Sequence, residues 1–450
     1  MVHVLAVADT DSYLKWSVST LATLPAGWTS HQVLLRNAVM PSPDQVAAAG
    51  QPDVEVVGLT RLLALLVRER PDVVLLSCTG PVVATVARLP PLRAARRPVL
   101  VTGLPGISVP ASPRAVLLRR SCDLFVVHSR RERVEFARVA VEQAPGLRLG
   151  LARLPFLSLT EQDLRAVDPE QVRSVAASSP PPDGPVVFAA QAQVPREREE
   201  RESVLRALAV AAPAVVKLRA AAGEQQTHRE DHPYDVLWAD LVRRGEVPAG
   251  RVAFATGSMT AALDGARGLA TVSSTAALEA VALGLPILVV DDFGVSGELI
   301  NLVFEGSGCT GSLASLAGGG LRTPDPEWLT DNYFHPDEDS DWIDRLQALV
   351  LLRTRRVLPR VRPPAPRRRV AALRQYLRLL LTPRDLAHAE RVLGAVSRWS
   401  RSPRERGRRA RGRLPGRLAG PGSAGPPPAP PAGRQPPPAA SRPAPSGRGR

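Results

Sequence analysis

The densest run of side chains able to do chemistry is Thr271-Val272-Ser273-Ser274-Thr275-Ala276-Ala277-Leu278-Glu279-Ala280-Val281-Ala282-Leu283-Gly284-Leu285-Pro286. It reads as a strand, a hydroxyl-rich turn, a short helix and a Gly-x-Pro exit into the next strand. A helix start exposes backbone amides and the positive end of its dipole, so Ser273, Ser274 and Thr275 are candidates to donate hydrogen bonds to a phosphate there. Glu279, one turn further on, is placed to accept from ribose hydroxyls. The bland alternative is a capped helix in which Glu279 completes the cap, and the two roles can coexist.

Cations suited to phosphate follow the apolar run Ala214-Val215-Val216: Lys217 and Arg219 alternate onto one side of a strand end. Of 58 basic residues only Lys15 and Lys217 are lysines, so an ammonium at this position is informative. The loop beyond carries Glu224, His228 and the pair His232-Pro233, with His228 the stronger histidine candidate. Asp292, in the turn Asp291-Asp292-Phe293-Gly294 after another strand, is expected to face the same ligand at its sugar or base, or else to stabilise its own turn.

A general base is sought in the first third of the chain. Asp9 and Asp11 directly follow an apolar strand, where a carboxylate can take the proton of an attacking hydroxyl; Asp11 is the first candidate and Asp9 the second. Asp11 or Ser12 alternatively just caps the next helix. Lys15 and Trp16, on its first turn, suit a binding wall, although Trp16 also suits a core. His128, at the end of the run Leu124–Val127, is a reserve base, or else a satisfied histidine beside the helix begun by Ser129. The glycine-bearing turns Ser77–Gly80 and Thr102–Ile107 let backbone approach a ligand closely.

These residues need a scaffold that brings strand ends together. Apolar runs at Val4–Ala8, Gln32–Leu35, Val54–Leu59, Val73–Ser77, Val99–Thr102 and Leu124–Val127 alternate with helical patterns such as Thr60–Arg70 and Ser129–Ala140. A second series runs Val186–Ala190, Ala214–Leu218, Arg251–Ala255, Leu269–Ser273 and Ile287–Val290, with helices between. Continuous Val/Leu strands buried on both faces imply parallel sheets covered by helices. The expected class is α/β, with two facing Rossmann-like doubly wound domains at residues 1–157 and 186–335. The Pro-rich 158–185 is the expected linker, 336–400 the expected C-terminal helices, and 401–450 an expected disordered basic tail. In such sheets ligands bind beyond the carboxyl ends of the strands.

Composition sets limits. The chain of 450 residues has a formal charge of +15, but residues 351–450 hold 25 arginines and three acidic residues, a net +22, leaving residues 1–350 at −7. A nucleic-acid argument therefore applies only to the tail, and the acidic body opposes it. The pattern Arg367–Leu381 is basic and amphipathic, fitting either packing on the body or an anionic membrane surface. Cys78, Cys122 and Cys309 are odd in number, widely spaced and in apolar surroundings, which fits reduced core thiols and a cytoplasmic setting. No apolar stretch is long enough to span a bilayer, and the first residues read as a strand rather than a signal peptide.

The Ser273-Ser274-Thr275, Glu279 and Gly284-x-Pro286 block resembles the donor motif of B-type (GT-B) glycosyltransferases, in particular bacterial capsule-polysaccharide and sialyltransferase-like members. His232-Pro233 is similar to the His-Pro pair of the latter. Together with Val215–Arg219, Gly223–Glu230, Asp292–Ser296, Asn301 and Asp331–Phe334, it looks like an uncharacterised family of glycosyltransferases of high-GC bacteria, matched from Asp9 to about Phe334. The resemblance implies transfer of a sugar from a nucleotide-sugar donor to a cell-envelope or capsule-type glycan acceptor, with the nucleotide in the second domain and no cofactor. Asp9-Thr10-Asp11 spells the metal motif of the other major glycosyltransferase fold, but B-type enzymes stabilise the leaving nucleotide with cations and helix dipoles, so no metal is expected. Two other readings stay open: a sugar-nucleotide epimerase of the same fold, and a non-catalytic membrane or nucleic-acid binder acting through its arginine-rich tail.

Overall fold

In the computed structural model, residues 1–37, 40–154, 157, 181, 183–218 and 230–359 are described. Most of the expected linker, Arg219, Glu224, His228, and all of the chain beyond residue 359 lie outside them.

The first seven strands are β1 (His3–Ala8), β2 (Thr29–Leu35), β3 (Glu55–Val57), β4 (Val73–Ser77), β5 (Val99–Gly103), β6 (Leu124–Val127) and β7 (Arg148–Leu151). The helices between them are α1 (Asp11–Ala22), α2 (Pro43–Ala48), α3 (Leu59–Glu69), α4 (Gly80–Val86), α5 (Pro113–Arg119) and α6 (Arg130–Gln143). All neighbours pair in parallel in the order β3-β2-β1-β4-β5-β6-β7.

The second series is β8 (Val186–Ala189), α7 (Arg198–Ala211), β9 (Ala214–Lys217), α8 (Tyr234–Arg243), β10 (Val252–Ala255), α9 (Met259–Leu263), β11 (Gly268–Thr271), α10 (Ala276–Ala282), β12 (Ile287–Val290) and β13 (Thr310–Gly311). Its sheet is again parallel, ordered β10-β9-β8-β11-β12-β13. Each sheet is sandwiched by apolar clusters on both faces. That two-sided burial is why the strands read as unbroken Val/Leu runs. Serines open several of the helices, with Ser112, Ser129 and Ser258 each accepting a backbone amide of the first turn.

Three short elements close the described chain: α11 (Leu313–Ala317), α12 (Pro326–Asp331) and α13 (Trp342–Thr354). The last returns to the first sheet, burying Trp342, Leu346 and Leu349 with Val4, Ala6, Val99 and Leu124. Burial of three such side chains contributes about 5–9 kcal/mol before entropy. The strand β7, absent from the apolar pattern, explains itself here: a Cβ on Gly150 would lie 2.9 Å from the Trp342 Cβ, so the strand carries a glycine where the returning helix presses on it. All three cysteines are buried and free. Among the described residues no helix is long and apolar enough to cross a membrane.

The strand orders reverse direction between β1 and β4 in the first sheet and between β8 and β11 in the second. In open parallel sheets that reversal leaves the crevice into which ligands fit.

Candidate functional site

At the first crevice, Asp9 leaves β1 and Thr79 leaves β4. The Asp9 carboxylate is 1% exposed and accepts the Thr79 amide at 2.9 Å and its hydroxyl at 2.6 Å. Burial raises its pKa, against the Thr79 hydrogen bonds and the Arg119 charge. Arg119 is itself buried and donates to the Tyr13 hydroxyl and to the Cys78 carbonyl. Asp9 thus joins two strand ends internally and presents no surface to an acceptor, a correction to its reading as a second candidate base.

Asp11 is different. It is the first residue of α1, partly exposed, and its carboxylate is paired at 3.1 Å with Lys15 one turn along. His128 is not a base in this fold. Its Nε2 accepts the Trp16 indole N–H at 2.8 Å, its Nδ1 donates to the Ala152 carbonyl at 3.2 Å, and it is 1% exposed. Burial pushes its pKa down to about 4, so the ring is neutral and both nitrogens are engaged. Trp16 is likewise core rather than wall: a Cβ on Gly103 would lie 2.4 Å from its ring.

At the second crevice, the turn after β11 carries the three hydroxyls. Ser273 is buried and donates its amide and hydroxyl to the side-chain oxygen of Gln191, at 3.2 and 2.9 Å, in the loop after β8. The Ser274 amide donates to the Thr271 hydroxyl and its own oxygen accepts the Ala276 amide, each at 3.2 Å. Ser273 therefore braces the crevice and Ser274 closes the turn that leads into α10. Among the described residues the hydroxyl hydrogens of Ser274 and Thr275 are donated to no protein acceptor. Gly284, with φ of 74°, ends α10 in the left-handed conformation that its motif position requires.

Glu279 lies half-buried one turn into α10. Burial raises its pKa, opposed by two charges: Lys15 from the first domain and Lys217 from the end of β9. Lys217 is 6% exposed and donates to the Leu218 carbonyl at 2.7 Å. The charges of both lysines of the chain thus act on Glu279, one turn from the Ser274–Thr275 hydroxyls, and Lys15 is at the same time paired with Asp11. Loops from the two domains touch there: a Cβ on Gly106 would lie 2.9 Å from the Thr275 methyl, and one on Gly297 3.0 Å from Pro110.

The Asp292 carboxylate accepts the Leu313 amide at 2.6 Å, tying the turn after β12 to the start of α11 instead of bonding within its own turn. Asn301 bridges the Ser296 amide and the Gly294 carbonyl in the following loop.

Two residues were missed by sequence reasoning. Arg201, fully buried on α7, spends its guanidinium on the carbonyls of Pro195, Gln191, Ala192 and His232 and on Glu230, and lies over the Tyr234 ring. It holds the Gln191 loop that in turn holds Ser273. Glu132, on α6, is the second. Arg201 carries no sequence signal, since arginine is ordinary on an amphipathic helix, and the spacing of Glu132 from Ser129 signals only a helix cap.

Residues 4–349 match the family described as "Putative glycosyltransferase (DUF6716)". The chain belongs to this family. The family supports a sugar-transferring or sugar-modifying enzyme, and the fold is the two-domain GT-B-like architecture. Among solved structures, UDP-GlcNAc 2-epimerase from Methanocaldococcus jannaschii is similar at TM-score 0.51 and 14% identity, covering 77% of this chain and 99% of that one. UGT89C1 from Arabidopsis thaliana, complexed with UDP, gives TM-score 0.47 and 13% identity over 78% of this chain and 100% of its own. HepE from Anabaena, in complex with UDP and glucose, gives 0.42 and 17% over 78% and 95%. No curated protein sequence matches the chain.

Proposed function

We propose that this protein is a glycosyltransferase that moves a sugar from a nucleotide-sugar donor to a hydroxyl of a cell-envelope or capsule-type glycan, without a metal. The observation that carries the reading is that the charges of both lysines of an arginine-rich chain act on Glu279 beside the hydroxyl turn. Lysine offers a compact, strongly hydrated point charge, suited to a phosphate that must be bound and released. In this reading the ribose lies against Glu279 and the diphosphate between Lys217, Ser274, Thr275 and the start of α10; Arg219, Glu224 and His228, outside the described residues, are proposed as further donor ligands.

Asp11 is the base. Transfer breaks the bond from the anomeric carbon to the phosphate oxygen and forms one to the acceptor oxygen, whose proton passes to the Asp11 carboxylate. Negative charge grows on the departing diphosphate, and the two ammonium groups stabilise it. The net +22 of residues 351–450 supports an anionic membrane surface as a second partner, which places a membrane-borne acceptor near the enzyme.

The test is thermal stabilisation of the full chain by UDP, GDP, CMP, dTDP and their sugars, with Lys217→Ala and Ser274→Ala as controls. A selective shift lost in both variants supports the donor site and names the nucleotide; no shift with any of them refutes it. Because the fold is shared with an epimerase, the same donor is then incubated without acceptor: conversion of the free nucleotide sugar to an epimer replaces transfer by epimerisation. Activity abolished by EDTA and restored by a divalent ion would overturn metal independence.

A further inference from the structure

One buried carboxylate joins three parts of the molecule. Glu132 is 1% exposed, and its Oε1 accepts the Ser108 amide at 3.0 Å and the Tyr333 hydroxyl at 2.6 Å, while its Oε2 accepts the His128 amide at 2.8 Å. Ser108 belongs to the loop after β5, His128 to the end of β6, and Tyr333 to the second domain. Tyr333 is 1% exposed and holds φ of 71°, a left-handed backbone that an aromatic residue adopts only when its surroundings demand it.

The chain of contacts continues toward the cleft. The Ser108 hydroxyl donates to the Gly106 carbonyl at 2.9 Å, and Gly106 packs so close to Thr275 that a Cβ there would come within 2.9 Å of its methyl. Glu132 is therefore three contacts removed from the hydroxyl turn.

We propose that Glu132 is a positioning residue for the donor turn: its ionised carboxylate holds Ser108, and through Gly106 the seat of Thr275, and protonation weakens that hold. This rests on the donor-site reading above. The logic is one of hydrogen-bond inventory. An ionised carboxylate accepts at both oxygens and can serve two amides and a phenol at once. A protonated one has become a donor at one oxygen, and a donor facing an amide N–H is repelled. Tyr333 is the partner able to turn from donor to acceptor of the carboxyl proton, so the Ser108 and His128 amides exchange a charged acceptor for a weaker neutral one.

The charged and titratable groups around Glu132 are few. Glu135, on the next turn of α6, opposes its ionisation; it is itself tied to the Ala111 amide and to Arg131. The Tyr333 hydroxyl faces it from the second domain, the Arg131 charge acts on that hydroxyl, and the neighbouring His128 ring is neutral. Burial, outweighing its three hydrogen bonds, carries its pKa up to about 7.

The experiment is amide hydrogen exchange of the full chain from pH 5.5 to 8.5, corrected for the intrinsic pH dependence, read over residues 104–110 and at Thr275. Expected is exchange about tenfold slower on the alkaline side, with one inflection near neutrality. Tyr333→Phe removes a donor to the ionised form and moves the inflection upward by about one pH unit. A merely structural tyrosine would lower stability without moving it. Glu132→Gln abolishes the inflection. Exchange independent of pH in the wild type, or the same inflection in both variants, overturns the proposal. Binding of the nucleotide-sugar panel at pH 8.5 is scored separately: the expected inflection in a protein that binds no nucleotide sugar upholds the clamp and refutes the donor reading.

Discussion

Lys15 offers the sharpest separation of function from stability. Its ammonium pairs with Asp11 one turn away at 3.1 Å, and the two side chains are 45% and 25% exposed. Exposed pairs at this spacing contribute about 0.3–0.5 kcal/mol, so Lys15→Ala should leave the folded state almost unchanged. Against a bound diphosphate the same ammonium makes a charge-assisted hydrogen bond in a partly dry cleft, worth about 1.5–3 kcal/mol. That corresponds to a loss of about 10- to 150-fold in affinity. Lys15→Arg keeps the charge on a longer planar group and should recover part of the loss. The assay is calorimetric titration of full-length wild type and both variants with the nucleotide sugar that stabilises the protein, alongside urea unfolding of each. Affinity of Lys15→Ala within twofold of wild type would refute the cross-domain role of Lys15, and a loss that merely tracks lowered stability would refute it equally.

Arg201→Ala strips the partner from Glu230 and from four carbonyls, so a loss of about 3–5 kcal/mol is expected in urea unfolding. Arg201→Lys, without the five-donor fork, should restore only a minor part. Gly103→Ala places a Cβ 2.4 Å from the Trp16 ring and should cost about 1–3 kcal/mol by overpacking, read by thermal unfolding with the tryptophan near-ultraviolet signal. His128 is held neutral with its pKa lowered to about 4 from 6.5, so its contribution is complete above pH 6.5 and is lost as pH falls toward 4. That loss amounts to about 3 kcal/mol, and His128→Gln should flatten the corresponding slope of unfolding free energy against pH. A wild-type slope unchanged in the variant would show that another group titrates there.

Much of the scaffold was legible because strands buried on both faces must be uniformly apolar. The runs at Val73–Ser77, Leu124–Val127 and Ile287–Val290 coincide with observed strands residue for residue. Two strands escaped that signal. The strand β7 begins with a surface arginine and carries Gly150 beneath Trp342, and β13 is only two residues long, so neither has an apolar run to display. The hydroxyl turn, Glu279 and the scarcity of lysine were equally plain, since they are statements about residue type and short spacing.

What residue type could not settle was the direction in which each side chain is spent. Asp9 and Asp11 look alike two positions apart, yet one closes onto Thr79 across the sheet reversal and the other opens beside Lys15. Ser129-x-x-Glu132 spells a capping box, and Ser129 does accept the Glu132 amide at 3.0 Å. Its glutamate instead reaches past the cap to bind Ser108 and Tyr333, the latter 201 positions away in sequence. Local pattern determined the strands, helices and the hydroxyl turn, because those depend on neighbours along the chain. Only the tertiary structure decided which carboxylate is buried, which histidine is neutral and which glutamate feels the charge of both lysines, because desolvation and electrostatics depend on neighbours in space.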